Sequence, residues 1–170
     1  RNVTGVQTCA LPICIKRDDL TVIKASCCLP AVCKPIVIDG KDCFDGGISD
    51  PIPFQKAFDM GCDKVIVVIS KPIDYRKSPQ KHMPIIKAAL KKYPKVFDRL
   101  AVRHEVYNRQ LEEAIKLQEQ DKVIILAPQD CYGVNTLTRE PAALEKLYEE
   151  GRRCADEHLS EIKAPGEKTA

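Results

Sequence analysis

Val37-Ile38-Asp39-Gly40-Lys41-Asp42-Cys43-Phe44-Asp45-Gly46-Gly47-Ile48-Ser49-Asp50-Pro51-Ile52-Pro53 reads as two short strands joined by a tight turn, the second ending on an acid. Asp39-Gly40 makes the turn, and Gly46-Gly47 follow the acid. Two adjacent glycines let the backbone turn sharply and reach positive φ without a Cβ clash. The carboxylate of Asp45 is therefore expected at a strand end, where catalytic groups of α/β proteins gather. The same tripeptide is also an ordinary turn, in which Asp bonds its own backbone.

Working outward, Asp18 or Asp19 is a candidate cap for a helix over Leu20–Cys28, with Leu20, Ile23 and Cys27 on one side. Leu29-Pro30 ends it, since proline disfavours helix at the residue before it. On the other flank, a helix of about two turns is expected from Pro53 to Met60, with Gly61 as its stop signal. The β-branched run Lys64-Val65-Ile66-Val67-Val68-Ile69 then reads as a strand covered on both faces. Strand, helix, strand defines the fold class as α/β with a mostly parallel sheet.

Residues 72–84 are loop-like, and two helices follow, about Ile85–Lys92 and Val96–Gln120, separated by Tyr93-Pro94. Val96, Leu100, Tyr107, Leu111 and Ile115 give the second an apolar stripe. Lys87, Lys91, Lys95, Arg99 and Arg103 recur every fourth residue, either a solvated face or a basic stripe for peripheral contact with an anionic membrane. Lys122–Leu126 is the last buried strand. Thr138 is a candidate cap for a final helix with Pro141 just inside, and Leu144, Leu147, Tyr148, Gly151, Ala155, Leu159 and Ile162 read as its apolar face. Residues 164–170 form a polar tail, expected to be disordered.

The chain has 170 residues and a net charge of +3, which points to no particular partner and gives no reason to expect nucleic acid. It begins with Arg1, and residues 3–13 resemble a translated sequencing adapter; residues 1–13 are expected to be a non-native scar. Nine cysteines, Cys9, Cys14, Cys27, Cys28, Cys33, Cys43, Cys62, Cys131 and Cys154, mostly have apolar sequence neighbours and lack paired C-x-x-C spacing. Reduced thiols in a cytoplasmic protein are the expectation, with a thiol or metal protein as the alternative. With no phosphate-binding glycine loop and no H-E-x-x-H helix, neither a cofactor nor a metal is expected.

Of the nucleophiles, Ser49 in Gly47-Ile48-Ser49-Asp50-Pro51 fails the G-x-S-x-G elbow at its fifth position, and Ser26 has no such context. His82, His104 and His158 fall in a loop and on two helices, away from the expected position of Asp45, so a Ser-His-Asp triad within the chain is not expected.

Ala25-Ser26-Cys27-Cys28-Leu29-Pro30, Val37-Ile38-Asp39-Gly40, Phe44-Asp45-Gly46-Gly47-Ile48-Ser49-Asp50-Pro51-Ile52-Pro53 and Met60-Gly61-Cys62-Asp63-Lys64-Val65-Ile66-Val67-Val68, in that order, resemble the second half of a bacterial patatin-like phospholipase. Leu137-Thr138-Arg139-Glu140-Pro141 and Leu147-Tyr148-Glu149-Glu150-Gly151 are similar to that family's C-terminal region, and the resemblance runs from about Leu20 to Ile162. It implies that residues 14–163 are part of a three-layer α/β/α domain lacking its N-terminal strands. It also implies a Ser-Asp dyad acting on a lipid or acyl ester, with Asp45 as the acid that orients the serine and takes its proton. Gly46 and Gly47 would shape the turn. The family's oxyanion loop and G-x-S-x-G elbow are missing, so the chain is expected to be inactive alone and to expose an apolar sheet edge or face. A non-catalytic α/β binding or regulatory module is the alternative.

Overall fold

The computed structural model describes residues 20–135 and 138–163. In chain order the elements are α1 (Thr21–Ser26), β1 (Ile36–Ile38), β2 (Lys41–Cys43), a 3-10 turn (Gly46–Ile48), α2 (Phe54–Asp59), β3 (Val65–Val68), α3 (Met83–Ala89), α4 (Pro94–Glu119), β4 (Val123–Leu126), α5 (Pro141–Glu157) and α6 (Leu159–Lys163). The fold is mixed α/β. The described residues divide into two compact units, one holding those of 20–53 and 77–110, the other those of 54–76 and 111–163.

In the first unit β1 and β2 form an antiparallel hairpin with Ile36 opposite Cys43 and Ile38 opposite Lys41. Asp39 and Gly40 make its two-residue turn at φ 50° and 71°. Positive φ at both central residues matches the right-handed twist of the strands, and Asp-Gly accepts it at little steric cost. Phe44, Ile48, Leu90, Val96 and Leu100 form the core, flanked by Ile86, Tyr93 and Phe97. Phe44 and Tyr93 meet edge to face at 5.0 Å, a favourable geometry for ring quadrupoles. Pro94 sits in the first turn of α4, where its missing N–H costs nothing.

The second unit is built on β3 and β4, paired in parallel with Val65 beside Val123 and Val68 beside Leu126. Val123, Ile124 and Ile125 are buried, and α5 packs against β4. β3 is not covered on both faces: only Val67 is buried, while Ile66 and Val68 are exposed, Val68 by 74%. Strand hydrophobicity identified the element but could not say which face a neighbour would cover.

Four helix readings are corrected. In α1 the buried residue is Ala25, whereas Leu20 and Ile23 are exposed. α5 ends at Glu157, and α6 starts after His158, whose Nδ1 lies 2.9 Å from the Cys154 carbonyl oxygen. The buried side of α5 carries Glu150 and Cys154, while Leu144, Tyr148 and Leu159 are exposed. The N-cap of α5 is Glu140, without a side-chain bond; Thr138 Oγ1 instead accepts from the Asn135 N–H at 2.9 Å. Asp18, Asp19, the 1–13 segment and residues 164–170 lie outside the described residues, as do Cys9 and Cys14. Among the described residues no helix is long and apolar enough to cross a membrane.

Candidate functional site

The site grows from the end of the hairpin. β2 stops at Cys43, Phe44 plunges into the core, and the next residue, Asp45, is half-buried at φ −48°, ψ 122°. From there Asp45 caps the 3-10 turn: the Gly47 N–H donates to its Oδ1 at 2.7 Å. Its own N–H donates to the Cys28 carbonyl at 2.9 Å, tying the turn to the segment after α1. Among the described residues no other hydrogen bond reaches the carboxylate.

The two glycines act differently from expectation. Neither takes positive φ; among the described residues the glycines that do are Gly40, Gly61 and Gly133. What Gly47 supplies is room. A Cβ there would stand 3.1 Å from Asp45 Oδ1 and 3.3 Å from Arg103 Nη2, closer than side chains normally settle. Gly46 is buried within the turn.

Arg103 completes the arrangement. Its Nε donates to the Gly47 carbonyl at 2.7 Å, a charge-assisted bond of the stronger kind. Further along α4, Gln110 accepts from the Ile52 N–H and donates to Asp50, so the helix braces the segment after the turn as well. The expected basic stripe therefore ends short of Arg103, which is half-buried and bonded, while Lys87, Lys91, Lys95 and Arg99 are exposed. The signal was present in the sequence. Arg103 stands three residues after Leu100 and four before Tyr107, inside the apolar stripe, and a cation there requires a partner.

Ser49 follows the turn with its Oγ buried and unbonded, and His104, next to Arg103, has a buried, unbonded Nδ1 among the described residues. His104 thus belongs to the helix that holds the Asp45 turn, closer in the fold than its position in sequence indicated. His104 Nε2 lies 3.7 Å from Glu105 Oε1. His82 is exposed before α3, and His158 joins α5 to α6. Ser26 is the last residue of α1.

Among the described thiols Cys28, Cys43 and Cys154 are buried and Cys131 is partly so, whereas Cys27, Cys33 and Cys62 are exposed and lack the apolar setting expected of them. Burial, reinforced by the neighbouring Cys33, Cys27 and Asp45, pushes the Cys28 thiol up. Among the described residues no three His, Cys, Asp or Glu side chains gather closely enough to hold a metal ion.

A second charged centre lies in the other unit. Glu150, only 7% exposed, accepts from Arg153 through both oxygens and from the Gln129 N–H at 2.8 Å. The Arg153 hydrogen bond and the Gln129 N–H hold its carboxyl below the ordinary range. This contact joins α5 to the loop after β4.

Residues 93–164 match the family model of a domain of unknown function, DUF6363. The matched stretch includes Arg103, Glu150 and Arg153, and it leaves the Asp45 hairpin outside. No curated protein sequence matches the chain.

Proposed function

We propose that this chain is the acid-bearing part of a serine acyl-ester hydrolase of the patatin-like type, with Asp45 as the dyad acid. The finer fold belongs to the same proposal: a three-layer α/β/α domain completed by N-terminal strands. The observation that carries it is the way Asp45 is held. One carboxylate oxygen is fixed by the Gly47 N–H, and the other has no hydrogen bond among the described residues. A carboxylate anchored by one oxygen and open at the other is suited to orient a serine hydroxyl and receive its proton.

In the reaction the serine Oγ attacks the acyl carbonyl while its proton passes to Asp45. Collapse of the tetrahedral intermediate returns that proton to the departing alcohol, and water then releases the acyl group by the same route. The chain has no G-x-S-x-G, so the serine and the oxyanion donors come from outside the sequence. The substrate is a lipid or other acyl ester, met in the cytoplasm or at a membrane surface.

The test is turnover of p-nitrophenyl butyrate by the chain alone and by the chain joined to the reading frame encoded upstream of it. The joined protein should turn over, the chain alone should not, and Asp45→Ala should cost about 10⁴-fold. Turnover that ignores Asp45 ends the reading. A non-catalytic α/β module is favoured by one fact, that the Asp45 cap bond is also what an ordinary turn makes.

A further inference from the structure

In the first unit a cavity of about 390 Å³ opens between the tip of the hairpin and the corner joining α3 to α4. Gly40, Lys41 and Asp42 line one side, and Lys92, Tyr93, Pro94, Lys95 and Val96 the other. None of Lys41, Lys92 and Lys95 has a carboxylate within ion-pair distance among the described residues. Lys92 Nζ lies 5.4 Å from the centre of the Tyr93 ring, a cation–π contact that keeps the ammonium at the cavity wall. The one acid present, Asp42, accepts from the Tyr93 hydroxyl at 2.8 Å, which occupies one of its oxygens.

Three cations around one concavity against one carboxylate repel one another, and the surroundings do not neutralise them. The described part of the first unit, residues 20–53 and 77–110, carries twelve Lys or Arg and six Asp or Glu. A concave wall of one charge sign concentrates ligands of the other. The floor is not polar: Val96 is buried, and Pro94 and the Tyr93 ring lie beside it. The volume falls in the range of about 300–1,000 Å³ typical of small-molecule pockets, large for a bare inorganic anion.

The geometry points to a binding site for a phosphate ester, with Lys41, Lys92 and Lys95 on the phosphate and Tyr93, Pro94 and Val96 under its organic part. This site is independent of the Asp45 reading. A soluble metabolite and a phospholipid headgroup present the same chemistry, and the experiment separates them.

Titration calorimetry of the chain with glycerol 3-phosphate, with glycerol as control, measures the soluble source. Sedimentation with phosphatidylcholine vesicles, with and without phosphatidic acid, measures the lipid source. Glycerol 3-phosphate should bind saturably, and Lys92→Gln with Lys95→Gln should weaken it about tenfold for each charge-assisted bond lost. The same double exchange at the exposed Lys116 and Lys122 of the other unit should change nothing, and circular dichroism should report all variants folded. If only phosphatidic acid vesicles are retained, and retention needs Lys92 and Lys95, the site holds and its source is lipid. Absence of binding in both arms, or binding indifferent to Lys92 and Lys95, overturns it.

Discussion

Arg103 on α4 donates its Nε to the carbonyl oxygen of Gly47 at 2.7 Å. Gly47 in turn donates its N–H to Asp45, so one residue, through the two peptide units that flank it, passes the hold of a long helix to the candidate acid. The Asp45 N–H bond to the Cys28 carbonyl adds a second hold, from the segment after α1.

Asp45→Asn and Asp45→Ala should separate structure from chemistry. Asn retains a side-chain oxygen for the Gly47 N–H, so its thermal unfolding should stay near wild type. Ala removes the cap and should cost about 0.5–2 kcal/mol. In the protein joined to its upstream reading frame, both should lose hydrolysis about equally, because neither can take a proton. An Asn variant that keeps activity would leave Asp45 a structural cap.

Gly47→Ala crowds both Asp45 Oδ1 and Arg103 Nη2 and should destabilise by about 1–3 kcal/mol. Gly40→Ala meets nothing within 4 Å but sits at φ +71°, a backbone strain of about 1–2 kcal/mol. Urea unfolding would give similar losses for the two. Only the Gly47 exchange should impair hydrolysis in the joined protein.

Stability should fall at low pH through Glu150. Its folded carboxyl is held below the usual range, chiefly by the Arg153 hydrogen bond. Folding therefore gains from its ionised form above the unfolded value of about 4.3, and loses that gain as pH drops through the lower folded value. Glu150→Gln should lower the melting point at neutral pH, and the gap from wild type should shrink on acidification. A gap independent of pH would contradict this.

Alkylation should sort the described thiols. Cys27, Cys33 and Cys62 are exposed and should react with iodoacetamide first, read by peptide mass mapping. Cys28, buried and with its thiol pushed up, should lag by about tenfold or more despite its exposed neighbour. Equal rates at Cys27 and Cys28 would show that this segment opens readily.

Much of the fold was legible because periodicity and turn chemistry act locally. Asp39-Gly40 demanded a hairpin turn, Gly61 stopped α2, and β-branched runs marked β3 and β4. Coverage was not legible, since whether Ile66 or Leu144 meets a neighbour depends on chain remote in sequence. Asp45 and Gly47 could be picked out as candidates, but the packing reason for Gly47 could not: space beside Arg103 arises only once α4 lies against the turn. Arg103 and Glu150 share one overlooked signature. Each stands where an apolar stripe should continue, Arg103 between Leu100 and Tyr107, Glu150 between Leu147 and Cys154. Each is buried or half-buried with a polar partner.

Tyr93 has its ring edge against Phe44, its hydroxyl on Asp42 and Lys92 beside its ring. One side chain is therefore shared between the hydrophobic interior and the cavity wall. An occupant drawing Lys92 inward would register as a rise in melting temperature that grows with the logarithm of its concentration, making heat a reporter of occupancy.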